Sequence, residues 1–278
     1  MTSWTRELEV VQAAVREAGA LALQGFGSVL EIEHKPRGEG PVSQYDRACD
    51  ALLRDRLHAA FPGDALLTEE STDDGAWHTA SRVWMIDPID GTQEYVTGVP
   101  EFAVMVGLCV DGVPTVGAVF APAQELLLLG AVELGARIWR GHEVLDLAVA
   151  TAHTRGAWHV AVSRSHPSSK VDRICQNLPA VQQVPRGSVG LKIASVSTGE
   201  SDLYLAATGK VKLWDTCGPA AVLAAAGGVM VDLFGKPLDY VETLTHPRGI
   251  LACPAAFVDE LLAVTRPLAA EFYGEPGA

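Results

Sequence analysis

Basic residues are scarce in this chain: 21 lysines and arginines stand against 34 aspartates and glutamates in 278 residues, a formal net charge of −13. No basic stripe interrupts that balance, which speaks against general binding to nucleic-acid polymers. Long apolar runs are missing as well. The most apolar region, Val113 to Val132, is broken by Pro114, Pro122 and Glu125, so no membrane-spanning segment is expected. Arg6, Glu7 and Glu9 fall where a secretory leader needs its apolar core. The five cysteines (Cys49, Cys109, Cys175, Cys217, Cys253) are odd in number, scattered and without Cys-x-x-Cys spacing. That pattern leaves no disulfide framework and no zinc site, and fits a reducing cytoplasm. Cys217 lies near a candidate site residue, but reads as a small packing residue. Internal repeats and low-complexity segments are also absent.

What is present is enough apolar material, 48% against 20% charged, for a large core in one domain or in two halves sharing a cleft. Leu8, Val11, Val15, Ala18 and Ala22 recur at helical spacing and predict an opening amphipathic helix that ends around Gly25 to Gly27. His34 to Pro41 is a charged, Gly/Pro-rich loop. Ser43 then has the character of an N-cap, with Asp46 three residues on and Cys49, Leu52, Leu53, Leu57 and Ala60 behind it. A helix over about 43–60 carries Asp46 on its first turn. Ala65 to Thr68 reads as a short strand delivering Glu69 and Glu70 at its end.

Phe102 to Val110, Val113 to Phe120 and Glu125 to Ala131 are apolar runs separated by turn residues, the pattern of an antiparallel meander, followed by a hairpin at Gly141. Beyond it the chain alternates: strand 158–163, helix 168–178, helix 188–198, strand 202–205, helix 215–226, strand 228–232, and a last helix from about Pro254. A boundary near residue 150 is the one division this pattern suggests.

The stretch Trp84-Met85-Ile86-Asp87-Pro88-Ile89-Asp90-Gly91-Thr92 places two carboxylates and a Gly-Thr step behind a short apolar run. Pro88 has no N–H for a ladder, so the strand is expected to stop near Asp87, with Asp87 and Asp90 on an exposed turn at its carboxyl end. Ligands of α/β sheets bind there. Carboxylates and the Ile89 carbonyl suit a hard cation such as Mg²⁺, and the N–H groups of Gly91 and Thr92 can open a helix and face an anion. The plainer reading is an Asp-Gly turn with a solvated N-cap. A phospho-aspartate nucleophile of the haloacid dehalogenase type needs Asp-x-Asp, and the residue two before Asp90 is Pro88, which argues against it. Glu69, Asp46 and Asp215 occupy similar element ends. Each alone reads as a capping or exposed acid; together they form a set of hard oxygen ligands that would repel one another without cations between them.

Glu69-Glu70-Ser71, Asp87-Pro88-Ile89-Asp90-Gly91-Thr92 and Trp214-Asp215 followed by Gly218-Pro219-Ala220 and Gly227-Gly228 closely resemble, in order and over nearly the whole chain, the inositol monophosphatase superfamily. The resemblance implies a layered αβαβα sandwich with residues 1–150 as an α+β half and 151–278 as an α/β half. It implies two or three Mg²⁺ ions and Li⁺ sensitivity. Glu69, Asp87 and the Ile89 carbonyl would hold one ion; Asp87, Asp90 and Asp215 a second; a third would lie near Glu69 and Asp46. Asp46 and Thr92, with Glu69, would orient and deprotonate the attacking water, and Gly91 and Thr92 would bind phosphate oxygens.

Several stretches resemble the 3′(2′),5′-bisphosphate nucleotidase (CysQ-type) branch: Asp90-Gly91-Thr92-Gln93-Glu94-Tyr95, Glu101-Phe102-Ala103-Val104, Val162-Ser163-Arg164-Ser165-His166, Leu191-Lys192 and Gly235-Lys236-Pro237-Leu238-Asp239-Tyr240. By that likeness Ser163, Arg164, Ser188 and Lys192 would line a nucleotide, with Asp90 and Asp215 on the substrate side as well. The implied reaction takes 3′-phosphoadenosine 5′-phosphate to AMP and phosphate. Two departures stand against it: Ser188 precedes Lys192 by four residues rather than three, and Ala206 stands where many relatives carry an arginine, leaving Lys210 or Lys212 to supply charge. Thr208 replaces the acid that contacts sugar hydroxyls in inositol phosphatases. Inositol monophosphate or another sugar phosphate is the alternative substrate, and a silent metal- or nucleotide-binding protein the alternative of another class. The implied partner is a small phosphate monoester, acted on by a monomer or homodimer.

Overall fold

The computed structural model describes residues 4–34 and 40–275. Helix α1 (Thr5–Gly25) and helix α2 (Gln44–Ala60) flank a two-stranded antiparallel ribbon, β1 (Ile32–His34) and β2 (Pro41–Ser43). The loop expected at His34–Pro41 falls, over 35–39, outside the described residues. Ser43 caps α2 as expected, accepting from the Tyr45 N–H at 3.2 Å.

A seven-stranded sheet follows in chain order: β3 (Ala65–Thr68), β4 (Arg82–Asp90), β5 (Ala103–Val110), β6 (Val113–Ala121), β7 (Leu126–Ala131), β8 (Gly135–Arg140) and β9 (Glu143–Leu147). Only β3 and β4 run parallel; every later pair is antiparallel, the meander expected from the turn residues. A short helix, α3 (Thr92–Val96), follows β4 directly.

The second sheet has five strands in the order β11 (Val181–Arg186), β10 (Trp158–Ser163), β12 (Leu203–Ala206), β14 (Ile250–Pro254), β13 (Gly228–Val231). Between them run α4 (Ser169–Cys175), α5 (Val189–Ser197) and α6 (Leu213–Ala225), with α7 (Val258–Tyr273) last. Strands β11 and β14 were not expected. None of the β11 side chains is buried, and two glutamines and a proline interrupt its valines, so it lacks the apolar alternation that marks a strand, while β14 is buried throughout and short enough to merge with the helix signal after it.

Three apolar layers join these elements. Val11, Val15, Leu53 and Leu57 of α1 and α2 pack on Trp84, Ile86 and Leu108 of the first sheet. On its other face Met105, Val119 and Leu128 meet Ile193 of α5 and Val222 and Leu223 of α6, which in turn cover Ala161 and Tyr204 of the second sheet. Val160, Leu205 and Leu251 on the far side meet Ile174, Leu261 and Leu268 of α4 and α7. The result is the five-layer αβαβα arrangement. Helix α6 approaches the first sheet at backbone distance: a Cβ on Gly117 of β6 would stand 2.0 Å from the Gly218 carbonyl oxygen.

Candidate active site

The acids converge because strands and helix starts deliver them. Strand β4 does not stop at Asp87; it continues to Asp90, and its ladder with β5 shifts register between the two aspartates. Pro88 sits in that irregularity, where its missing N–H costs no ladder bond. Nor are the aspartates on an exposed turn: Asp87 is 2% and Asp90 9% exposed, held inside by the sheet that carries them. Since β3 runs parallel to β4 with Thr68 beside Ile86, the next residue, Glu69, comes out next to Asp87, and its N–H donates to the Ile86 carbonyl at 3.2 Å. Asp215 arrives from the first turn of α6, where its Oδ2 accepts from the Lys212 N–H at 2.8 Å.

Burial, then the charges of Glu69, Asp90 and Asp215, and a hydrogen bond to Glu69, hold the Asp87 carboxyl well above the usual carboxylate range. Asp215 is raised in the same way, by burial and by Asp90 and Glu69, against the Lys212 N–H. Asp90 is raised chiefly by burial, opposed by Lys192, Ser188 and Gly190. Oδ1 of Asp87 is buried with no hydrogen-bond partner. Among the described residues no three acids, imidazoles or thiols have closed to the spacing of one metal ion, yet these four share one field. A hard divalent cation fits this donor set: it would satisfy the orphan oxygen and remove the repulsion.

Asp46 lies beside the Gly91-Thr92 step. Its Oδ2 accepts from the Ser43 N–H at 2.8 Å and the Ser43 hydroxyl at 2.6 Å, and its Oδ1 from the Thr92 hydroxyl at 3.1 Å. The same hydroxyl lies 3.0 Å from the Ile89 carbonyl oxygen. Burial raises the Asp46 carboxyl despite these bonds, with a further push from Glu70.

The second half supplies a wall facing these acids. Ser188, at φ 49° in the left-handed region, caps α5 by accepting from the Leu191 N–H at 3.0 Å. Its hydroxyl donates to Asp90 Oδ2, which also accepts from the Gly190 N–H at 2.7 Å. Lys192 is buried, not a solvated surface residue. Burial lowers its pKa against the pull of Asp90, Glu94, Asp215 and Glu101, and its Nζ points at the Gly187 carbonyl, 3.3 Å away. Arg164 is exposed and engaged elsewhere, forked onto Glu101 at 3.0 and 2.8 Å. The Ser163 hydroxyl accepts from the His166 N–H at 3.1 Å. Two buried or half-buried acids had been assigned no role: Glu94, which accepts from the Ser165 hydroxyl, and Glu101, which accepts from the Gly187 N–H at 2.7 Å. The Glu101 carboxyl is desolvated, but its bonds to Arg164 and Gly187 outweigh that and hold it below the usual range. Both acids lie in the motif segment after Thr92, yet nothing local marks partners more than 60 residues away.

The family whose description is inositol monophosphatase matches residues 4–266. The chain belongs to the inositol monophosphatase family. Among curated members of this phosphatase family, a 3′-phosphoadenosine 5′-phosphate phosphatase of Mycobacterium leprae is 36% identical over 94% of this chain and 95% of that protein. The 3′(2′),5′-bisphosphate nucleotidase CysQ of Escherichia coli is 30% identical over 86% of this chain and 97% of its own. The inositol monophosphatase structure from Anabaena superposes with a TM-score of 0.77 at 25% identity, covering 95% of this chain and 96% of that one. All five cysteines are free and buried, Cys217 among them, in keeping with packing roles.

Proposed function

We propose that this phosphatase removes the 3′-phosphate of 3′-phosphoadenosine 5′-phosphate, giving AMP and phosphate with Mg²⁺. The observation that carries the chemistry is the orphan, buried Asp87 oxygen inside the field of Glu69, Asp90 and Asp215. The substrate assignment is supported by two relatives named for bisphosphate nucleotides, which match this chain over most of its length.

Glu69, Asp87, the Ile89 carbonyl, Asp90 and Asp215 would hold two ions, with a third near Glu69 and Asp46. Bound Mg²⁺ supplies Lewis-acid activation of water and neutralises charge on the leaving oxygen. The chain does the rest. Asp46, whose carboxyl burial raises above the usual carboxylate range, accepts a proton through the Thr92 hydroxyl that donates to it. The raised Asp46 is the base, Thr92 the relay, and the Gly91 and Thr92 N–H groups would orient phosphate oxygens. Ser188, Ser163 and Lys192 would line the nucleotide side. Among the described residues no helix is long and apolar enough to cross a membrane; we place the enzyme in the cytoplasm as a monomer or homodimer, and expect Li⁺ to inhibit it.

Release of phosphate from 3′-phosphoadenosine 5′-phosphate and from inositol 1-phosphate, each with Mg²⁺, tests this reading. The bisphosphate should give a kcat/KM higher by at least about tenfold, roughly 1.4 kcal/mol of transition-state preference. Equal or greater use of inositol phosphate, the reading favoured by Ser188 standing four residues before Lys192, overturns the substrate; release from neither overturns the enzyme.

A further inference from the structure

The surfaces that form the proposed site come from opposite halves of the chain, and they are tied together by acids from a single segment. Asp90 ends β4, Glu94 and Glu101 follow it, and each carboxylate takes its hydrogen bonds from the other half. Asp90 holds Ser188 and Gly190, Glu94 holds Ser165, and Glu101 holds Arg164 and the Gly187 N–H. Arg164 also donates to the Pro185 carbonyl at 3.1 Å, and its own N–H to the Arg186 carbonyl at 2.9 Å. Glu101 therefore grips the end of β10 and the end of β11 at once.

Between them the chain is forced. A Cβ on Gly187 would stand 2.6 Å from Glu94 Cγ and 2.7 Å from the Glu101 carbonyl oxygen, so the strand end is pressed against the acids. The next residue, Ser188, holds a left-handed φ of 49°, a conformation a non-glycine residue keeps only when its surroundings over-determine it. Ser188 is itself the cap of α5, which begins at the next residue, and a turn later stands Lys192. Whatever fixes Gly187 fixes the angle at which Ser188 and Lys192 face Asp90.

We infer that Glu101 is a positioning residue for the substrate wall, and that Arg164 acts through it, as a strut, rather than by touching substrate. The guanidinium is forked onto a carboxylate 16% exposed, with a third bond to a backbone carbonyl, so its donors are directed into the protein. This rests on the proposed bisphosphate reaction only for the choice of assay substrate.

The test is a double-mutant cycle on KM and kcat for 3′-phosphoadenosine 5′-phosphate with Mg²⁺, using Glu101→Gln, Arg164→Gln and the pair. A strut predicts that each single change raises KM by on the order of tenfold, more than it lowers kcat. The double variant should then be no worse than the weaker single, because the partners act as one unit. If Arg164 binds phosphate itself, Arg164→Gln raises KM while Glu101→Gln, which frees the guanidinium, leaves it unchanged or lowers it; that result overturns the inference. Additive effects, or no effect of either, overturn it too. Should Glu101→Gln fail to fold, Glu101→Asp takes its place in the same cycle. A wild-type enzyme that turns over inositol 1-phosphate but not the bisphosphate removes the substrate reading alone, and the cycle is then read with that ester.

Discussion

Asp87 has three acidic neighbours and one buried oxygen without a partner, so its charge is a cost to the fold that the proposed chemistry would put to use. Its folded pKa, like that of Asp215, is raised above the unfolded value, and the sign of the consequence follows. The folded state holds protons that the unfolded chain has released, so this contribution to stability is full below the ordinary carboxylate pKa, about 4, and is lost as pH rises through the raised value. With a chelator present, Tm should therefore fall as pH rises above about 4, and added Mg²⁺ should restore it by binding only the folded protein. Asp87→Asn should flatten that fall and raise Tm in chelator, while lowering Mg²⁺-dependent turnover by about 1,000-fold or more. Scanning calorimetry across pH, with and without Mg²⁺, checks the first pair of outcomes. A Tm independent of pH, or an Asp87→Asn variant that is both less stable in chelator and active, contradicts the account.

At the scale of elements, the site depends on how closely α6 lies on the first sheet. The Gly117 position leaves no room: the nearest atoms are the backbone of Gly218, which no rotamer change can move aside. Gly117→Ala should cost about 1–3 kcal/mol or more, the range for overpacking a tight core. It should also weaken Mg²⁺ dependence, because α6 carries Asp215. Urea unfolding and a Mg²⁺ titration of activity measure the two, and a variant with wild-type Mg²⁺ response would show that Asp215 does not depend on that contact. Elements of this kind were legible in uneven measure. Helices α1 and α2, the meander and the acids at strand ends all followed from local spacing, since each signal lies within a few residues. The register of β3 against β4, which puts Glu69 beside Asp87, could not be read, because pairing is non-local. Strand β4 passing through Pro88 was missed because the rule that proline ends a ladder holds only where the ladder is regular. The pairing of Arg164 with Glu101 could not be read either, because the two lie 63 residues apart.

At the scale of the molecule, every strand of the first sheet lies between residues 65 and 147 and every strand of the second between 158 and 254. We propose a division near residue 150, with 1–150 bearing most of the acids and 151–278 bearing Asp215 and the substrate wall. The halves share the apolar layer around Met105, Val222 and Tyr204 and the polar ties of Asp90, Glu94 and Glu101, so a cut between them should not part them. Proteolysis confined to residues 151–156, which have no helix or strand, should leave two fragments that co-elute and unfold in one transition. Separate elution, or two calorimetric transitions, would refute that coupling.

Two of the acids at this site also begin helices. Asp46 closes the cap at Ser43 with one oxygen and meets Thr92 with the other, and Asp215 takes the Lys212 N–H with one oxygen. Side-chain length is thereby fixed twice over at Asp46, and would be at Asp215 with its other oxygen on the proposed ion. A glutamate in either place keeps the charge but adds a methylene, so a carboxylate that still reaches back to the helix start points its remaining oxygen away from the site, and one that still reaches the site lets go of the helix. Charge-conserving exchange, harmless at most surface positions, is closed to both residues by geometry.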